Sequence, residues 1–209
     1  MLVRRATPSD LGRLCVTAMR SFHDDPIMRW LWPNDDEFFA PGGEVFREAM
    51  AGWLRLGDVW CTDDAAAVAV WIPPGRPPIP PDPDPDVVPH FPEDLLERFT
   101  IIAPLMEAHT PTDDHWYLQL LGTHPDWQRQ GLGAALMQSM FERADAEGLP
   151  CYLETETLVN VGYYRRHGFD VISEWDVPAG EHVHRFSSFG DDPTTEIGPH
   201  MWGMLRPPR

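Results

Sequence analysis

Two glycines, Gly131 and Gly133, stand where a predicted strand turns into a predicted helix, and this junction constrains the fold more than any other stretch. The segment 115–123 is rich in strand-forming residues. Beyond the glycines, apolar residues recur at helical spacing until Gly148, a natural helix stop. The first amides of such a helix lack partners and carry partial positive charge, and glycine lets an anion approach them. The junction therefore predicts an anion cradle, with a pyrophosphate as its favoured ligand.

The glycine spacing distinguishes between kinds of pyrophosphate site. A dinucleotide-binding fingerprint needs a third glycine where Leu136 stands, and a P-loop needs Gly-Lys-Ser/Thr, which is absent here. The pattern Gln128-x-x-Gly131-x-Gly133 follows a strand that ends Leu121-Gly122-Thr123. It resembles the coenzyme A signature of the GNAT superfamily of acyl-CoA N-acyltransferases. The resemblance implies acetyl-CoA (coenzyme A) as the cofactor.

The order of predicted elements extends this resemblance over nearly the whole chain. It runs strand, helices, hairpin, helix, strand, helix, strand, helix, strand, strand. Such an order predicts an α/β fold of the mixed, α+β type, with a single central mixed β-sheet and helices on both faces. We expect one domain over residues 1–209, with a proline-rich surface loop at about 73–92 and an irregular loop at about 179–200. The resemblance implies that this is the GNAT fold.

Within the superfamily, several stretches resemble the puromycin N-acetyltransferase branch. They are Val59-Trp60, Asp63-Asp64, Ala67-Val68-Ala69-Val70-Trp71, Leu153-Glu154-Thr155, Tyr163-Tyr164-Arg165-Arg166-His167-Gly168-Phe169 and Asp176-Val177-Pro178. In that family a short helix carries a tyrosine near the cofactor thiol, and Tyr164 takes that place here. The proline-rich loop and the segment 180–199 look enlarged. Because surface loops shape acceptor pockets, the acceptor does not follow from the branch.

Acetyl transfer from a thioester to an amine needs a base for the ammonium form of the acceptor and an acid for the leaving thiolate. Strand alternation places Glu154 and Glu156 on one face, and Glu154 is the candidate base, acting through water. Glu156 is a candidate substrate-binding residue, because neighbouring carboxylates raise a pKa and attract a cation. The resemblance makes Tyr164 the candidate acid and a cofactor contact, with Tyr163 as its competitor.

The other predicted cofactor contacts come from the cradle and from the resemblance. The backbone of Leu121, Gly122 and Thr123 would pair with the pantetheine arm like an added strand. Asn160 resembles the family's cofactor-contacting asparagine. The pyrophosphate would lie on a continuous stretch in which an arginine adds positive charge. This stretch comprises Gln128, Arg129, Gln130, Gly131, Leu132, Gly133 and Ala134.

Composition bounds the partners. Phe22, Trp30 and Trp32 are candidate acceptor-binding residues, although most aromatic side chains of that region are expected to be core. A formal net charge of −17 argues against nucleic-acid and anionic-membrane partners and suits a cationic acceptor. No histidine spacing fits a zinc site, so no metal is expected. Three scattered cysteines and the lack of an apolar leader suggest a cytoplasmic setting.

The function predicted from these patterns is transfer of the acetyl group of acetyl-CoA to a primary amine of a small molecule, for example an antibiotic or aminonucleoside, by direct attack on the thioester. Two alternatives stay open. One is acetylation of a protein N-terminus or lysine side chain, which an open groove would favour. The other is a non-catalytic acyl-CoA-binding module, against which Glu154 and Tyr164 argue. Whether the chain forms a homodimer is also open.

Overall fold

A seven-stranded mixed sheet forms the centre of the computed structural model, which describes residues 2–76, 93–179 and 197–209. Its strands are β1 Val3–Arg5, β2 Asp58–Thr62, β3 Ala67–Ile72, β4 Trp116–Thr123, β5 Cys151–Thr155, β6 Asp170–Pro178 and β7 Ile197–Arg206. Their spatial order is β1-β2-β3-β4-β5-β7-β6. Every neighbouring pair is antiparallel except β4 and β5, which are parallel. The sheet is therefore mixed, as the sequence predicts.

Helices cover both faces of the sheet. They are α1 Leu11–Ser21, α2 Pro26–Leu31, α3 Asp35–Phe39, α4 Pro41–Leu56, α5 Glu93–His109, α6 Leu132–Glu147 and α7 Leu158–Arg165. The first five helices contribute to one hydrophobic cluster, together with side chains from one side of the strands. The last two, α6 and α7, build a second cluster on the other side. The predicted arrangement of one central sheet between helical layers is confirmed.

Local sequence explains where the helices that border the site begin and end. Asp25 caps α2 by accepting hydrogen bonds from the amides of Ile27 and Met28, at 3.0 and 3.1 Å. Thr157 caps α7 in the same way through the amide of Asn160, at 3.2 Å. The helix α6 ends at Gly148, whose φ of 69° is the left-handed conformation that glycine adopts without strain. These caps fix the ends of the helices that carry functional side chains.

The two predicted loops lie only partly within the described residues. Of the proline-rich loop predicted at 73–92, residues 77–92 lie outside the described residues, as do residues 180–196 of the irregular loop predicted at 179–200. The irregular loop ends earlier than expected, because β7 begins at Ile197 rather than near 201. The reason is that β6 continues to Pro178, which pairs with Ile197 and so extends the antiparallel ladder. Within the described ranges, no helix is long and apolar enough to cross a membrane.

Candidate active site

The parallel strands β4 and β5 separate along their length and leave a cleft between them. Their register consists of two residue pairs, Trp116 with Cys151 and Tyr117 with Tyr152. Beyond these pairs, β4 continues to Thr123 and remains paired with β3 on its other edge. The backbone edge of β4 from residue 118 onward is therefore turned toward the cleft. An extended ligand could add to this edge as a strand does, which is what the sequence predicts for Leu121, Gly122 and Thr123.

The glycine turn at the end of this cleft has the geometry of an anion cradle. Gly131 has a φ of 81° and Arg129 a φ of 60°, so the turn contains two left-handed residues. Gly131 precedes α6 as its N-cap and supplies no side chain to the first amides of the helix. A Cβ on Gly131 would have no heavy atom within 4 Å. The first-turn amides of α6 are thus left open to a ligand, as a pyrophosphate needs.

The other predicted cradle residues divide between the surface and the core. Arg129 and Gln130 are exposed, whereas Leu132 is buried and packs in the second cluster. Gln128 Nε2 donates to the carbonyl oxygen of Thr123 at 3.3 Å, which ties the turn to the end of β4. Ala134 is partly buried in the first turn of α6. The stretch can therefore hold a phosphate mainly through backbone amides, with one arginine side chain nearby.

Glu154 projects from β5 toward the helical layer built by α1 to α5. The hydroxyl group of Tyr117 donates a short hydrogen bond to Glu154 Oε2, and Thr110 Oγ1 donates to Oε1 at 3.4 Å. Although part of the residue remains exposed, burial of the carboxylate raises the pKa of Glu154 to about 6. Hydrogen bonds from Tyr117, Tyr152 and Thr110 oppose that rise. A carboxylate with such a pKa is ionised at neutral pH and basic enough to take a proton.

Comparison with known proteins shows what the chain is similar to. A sequence profile of the Acetyltransferase (GNAT) family matches residues 98–169, the stretch that holds β4, the cradle, β5 and α7. Over 190 residues the chain is 26% identical to an uncharacterized N-acetyltransferase of Schizosaccharomyces pombe, in an alignment that covers 81% of this chain and 74% of that protein. Residues 98–169 thus match the GNAT acetyltransferases, and the chain is an acetyl-CoA-dependent N-acetyltransferase.

Solved structures agree with the GNAT fold of this acetyltransferase. A histone acetyltransferase HPA2 and related acetyltransferase from Corynebacterium glutamicum aligns with a TM-score of 0.63 at 21% identity, over 99% of this chain and 96% of the other. A mosquito arylalkylamine N-acetyltransferase like 5b aligns with a TM-score of 0.64 at 12% identity, over 99% of each chain. At identities this low, the alignments show a shared fold and nothing about a shared substrate. GNAT-family acetyltransferases use acetyl-CoA, and the open first-turn amides of α6 fit its pyrophosphate.

In this acetyltransferase, Glu156 meets a partner that its position in the chain does not suggest. Its carboxyl group is hydrogen-bonded to that of Asp25, the cap of α2. Two carboxyl groups in contact must share a proton, because two charges at that distance repel strongly. Burial raises the pKa of Asp25 to about 6, and burial and the Asp25 charge raise the pKa of Glu156 well above its usual value. Since two backbone amides already stabilise the Asp25 carboxylate, Glu156 is the member that holds the proton.

The adjacent tyrosines of α7 point to different surroundings. Tyr164 is buried in the second cluster and packs against Phe169, with ring centroids 5.8 Å apart. Burial raises the pKa of Tyr164 well above its usual value, and the charges of Tyr163, Glu156 and Asp25 add to this effect. Tyr163 lies instead at the cradle, where its hydroxyl oxygen is 3.0 Å from the position that a Cβ on Gly133 would take. Both phenols are protonated at neutral pH, so both can donate a hydrogen bond.

The three candidate aromatic residues are placed differently with respect to the cleft. Phe22 borders it, because a Cβ on Gly122 would lie 3.4 Å from the ring of Phe22 and would also meet Ser21. Trp30 has no exposed surface, and its indole N–H donates to the carbonyl oxygens of Pro178 and Ala179 at 3.0 and 3.2 Å. Trp32 is also buried and packs against Phe38 and Phe46. Phe22 therefore lies next to β4, and the two tryptophans lie in the core.

Sequence reasoning missed the residues that surround the two glutamates. These are Asp25, Thr110, Tyr117 and Tyr152. The sequence Asp25-Pro26 is a good signal for a helix N-terminus, but it carries no information about the strand against which that helix packs. Tyr117 lies on a strand with period-two alternation, and its pairing with Tyr152 follows only once the parallel register is known. Asn160 lies in the first turn of α7 and is partly buried, and its contact with the cofactor stays a prediction.

Proposed function

We propose that this acetyltransferase transfers the acetyl group of acetyl-CoA to a primary amine of a small molecule by direct attack on the thioester. The observation that carries the proposal is the Glu154 carboxylate, held by Tyr117 and Thr110 where β4 and β5 part. When bound, acetyl-CoA supplies an activated acetyl group on sulfur. Everything else in the reaction is positioning and proton transfer, which the chain provides.

The cofactor is held in two places in this proposal. The backbone of Leu121, Gly122 and Thr123 binds the pantetheine arm along the free edge of β4. A Cβ at position 122 would meet Ser21 Oγ, which would have to move, and would contact the Phe22 ring at 3.4 Å. The amides after Gly131 bind the pyrophosphate, and Asn160 contacts the arm from α7. In this proposal the thioester would lie between β4 and β5, on the side of Glu154.

Proton transfer then follows from the two candidate catalytic side chains. An alkyl ammonium has a pKa near ~10 and must lose a proton before its nitrogen can attack. Glu154, whose pKa is about 6, accepts this proton through a water molecule. As the nitrogen bonds to the acetyl carbon and the carbon–sulfur bond breaks, the hydroxyl group of Tyr164 would donate its proton to the leaving sulfur. The second proton, which the nitrogen loses on becoming an amide, would return to Tyr164 through water. The raised pKa of Tyr164 keeps this hydroxyl protonated until the sulfur leaves.

The acceptor in this proposal is a cationic amine on an apolar or aromatic body. Phe22 offers an aromatic face at the cofactor strand, and the net charge of −17 attracts a cation. The fold is shared with an enzyme named for arylalkylamines, and the sequence resembles the puromycin N-acetyltransferase branch. Puromycin is therefore the first compound to test. Acetylation of a protein amine is the second candidate, since the fold is also shared with a protein named as a histone acetyltransferase.

A release assay separates these candidates. Purified protein and acetyl-CoA are mixed with puromycin, arylalkylamines, linear polyamines, short peptides with free N-termini and a lysine peptide, and free thiol is measured. We expect turnover with small amines and none with peptides. Glu154→Gln should abolish most of the signal, whereas Glu142→Gln, a matched change on the exposed side of α6, should leave it intact. Turnover of peptides alone would replace the proposal with protein acetylation.

A further inference from the structure

A cavity of about 320 Å³ lies beyond the cradle, between α6, the end of α7 and the end of β7. Its charged lining comprises Arg166, His167, Arg206, Arg209 and Asp145. The chain has 16 basic side chains, all of them arginine, against 33 acidic ones. Three of those arginines line this one cavity. In so acidic a protein, such a concentration of positive charge needs an explanation.

One carboxylate neutralises one of the three arginines. Arg206 forms a two-fold ion pair with Asp145, at 2.8 Å for both nitrogen–oxygen contacts, and its guanidinium carbon lies 4.3 Å from the centre of the Phe141 ring. The backbone amide of Arg209 donates to the same carboxylate at 3.0 Å. Asp145 is the only carboxylate side chain among the described residues that line the cavity. Arg209 also acts electrostatically on Asp145, so three guanidinium charges of the lining share this one carboxylate.

The guanidinium groups of Arg166 and Arg209 are held in place by backbone contacts. Arg166 Nη1 donates to the carbonyl oxygen of Gly162 at 2.9 Å, which leaves its other nitrogen atoms for a ligand. The guanidinium of Arg209 lies over Gly168, where a Cβ would collide with it. His167 follows Arg166 in the chain. Burial and the charge of Arg166 both lower the pKa of His167, so its imidazole is neutral at pH 7 and can donate one hydrogen bond. Arginine forks of this kind bind phosphate through paired hydrogen bonds.

Tyr163 contacts both the cradle and two residues that line the cavity. The Tyr163 hydroxyl stands beside Gly133, and the ring lies 4.8 Å from that of His167 and 5.8 Å from the guanidinium carbon of Arg166. The Tyr163 side chain thus lies between the cradle and the side of the cavity that Arg166 and His167 form. We propose that this cavity is a phosphate-binding site, with Arg166 and Arg209 as its cationic contacts and His167 as a neutral donor.

The phosphate can have two sources: a phosphate group of the coenzyme itself, such as the 3′-phosphate of coenzyme A, or a separate phosphorylated molecule. The first source rests on acetyl-CoA use, whereas the second does not. The test variant is Arg166→Gln combined with Arg209→Gln. Arg206 is left unchanged because its ion pair with Asp145 supports the end of β7. The matched control is Arg47→Gln, which removes an exposed guanidinium from α4 on the opposite face of the sheet.

In the first arm, calorimetry compares coenzyme A with 3′-dephospho-coenzyme A. We expect the unchanged protein to prefer coenzyme A by about tenfold or more, since each charge-assisted hydrogen bond contributes at that level. The double variant should bind both compounds with the affinity that the unchanged protein shows for the dephospho form. Retained binding of dephospho-coenzyme A shows that the cradle is intact, which separates failure of this proposal from failure of the cofactor assignment.

In the second arm, the imidazole resonances of His167, assigned with His167→Asn, are followed by NMR during titration with inorganic phosphate. We expect a saturable shift that the double variant loses and Arg47→Gln keeps. A coenzyme preference without a phosphate response identifies the coenzyme's own phosphate as the ligand. A phosphate response without a coenzyme preference identifies a separate phosphorylated molecule. If neither effect is observed in the unchanged protein, the cavity is not a phosphate site.

Discussion

Tyr117 and Glu154 stand on the two strands that part, and the hydroxyl group of Tyr117 donates a hydrogen bond to Glu154 Oε2 across the base of the cleft. The contact works against burial: burial raises the pKa of Glu154 to about 6, and the bond from Tyr117 is the largest influence that lowers it. The basicity of Glu154 is therefore set by a residue on the neighbouring strand.

Tyr117→Phe removes that hydrogen bond while keeping the aromatic ring. The pKa of Glu154 should then rise above about 6, because burial is opposed by fewer donors. The acidic limb of kcat/KM should move to higher pH, with little change at pH 9. Measurement of kcat/KM between pH 5 and 9 checks this. A shift to lower pH, or none, would mean that Tyr117 does not set the protonation of the base.

Glu154→Gln should remove the base itself. In the unchanged protein kcat/KM should rise with pH through about 6, since Glu154 must lose its proton before it can accept another. The variant should lack this step and lose about 10²–10⁴-fold in rate at pH 7. The loss should be smaller at alkaline pH, where more of the amine is already free. An active amine whose rates with Glu154→Gln equal those of the unchanged protein across this range would exclude Glu154 as the base.

The Asp25–Glu156 pair should make folding depend on pH. Both pKa values are raised in the folded protein, that of Asp25 to about 6, so the folded state binds more protons than the unfolded state. The pair's contribution to stability is therefore complete at low pH and decreases as the pH rises from about 4 through 6. Glu156→Gln keeps a hydrogen-bond donor that does not titrate. Its free energy of unfolding, relative to that of the unchanged protein, should increase between pH 4.5 and 8.

Urea denaturation at several pH values measures this difference. Glu142→Gln is the control, since Glu142 is exposed on α6 and should show no such trend. Asp25→Ala makes a second comparison, because it removes the cap of α2 at a cost of about 1 kcal/mol in addition to the pH-dependent contribution of the pair. A constant difference between Glu156→Gln and the unchanged protein would contradict a shared proton.

The two ends of α6 provide a matched pair of glycines for testing the cradle. Gly131 and Gly148 have φ values of 81° and 69°, and at neither position would a Cβ have a heavy atom within 4 Å. Valine at either site should cost a similar ~1–2 kcal/mol of backbone strain. Only Gly131→Val places a side chain against the predicted pyrophosphate, so only this variant should lose acetyl-CoA affinity in calorimetry. Equal affinities in two folded variants would show that the cradle is elsewhere.

Kinetic and binding measurements should distinguish the roles of Tyr163 and Tyr164. Tyr164→Phe should lower kcat by about 10²–10⁴-fold and leave the Kd of acetyl-CoA nearly unchanged, because the proposed acid acts on the leaving sulfur. Tyr163→Phe removes a hydroxyl group that lies beside Gly133 and should mainly weaken cofactor binding. Chemistry must first be shown to limit turnover. The reverse result, with kcat lost in Tyr163→Phe, would assign the acid to Tyr163.

Local patterns predicted the parts of the site that are local. The strand, glycine turn and helix from 116 to 147 are continuous in the chain, so apolar spacing and glycine placement were sufficient to predict them. The shared face of Glu154 and Glu156 followed in the same way from strand alternation. The contact of Glu156 with Asp25 could not be predicted, because it depends on how α2 packs at the end of β5.

Aromatic residues show the same limit. Phe22, Trp30 and Trp32 are close in sequence and were grouped as acceptor-binding candidates, but a short helix directs them to different environments. Trp30 is enclosed because its N–H meets the end of β6, and Trp32 packs against Phe38. The sequence shows how many aromatic residues a region contains. Which of their rings faces the cleft depends on how the helices pack. The role of these residues in acceptor binding stays a prediction.

The parting of β4 and β5 also divides the sheet mechanically. Strands β1 to β4 form one ladder, and β5, β7 and β6 form another. Among the residues that the structure describes, the sheet joins them only at Trp116 with Cys151 and Tyr117 with Tyr152. A ligand that lies along the free edge of β4 would add hydrogen bonds where β4 and β5 are not paired with each other. Occupancy of the cleft should then slow amide exchange in both ladders at once. The coenzyme arm would serve as an additional strand that binds beside β4 and leaves again in each catalytic cycle.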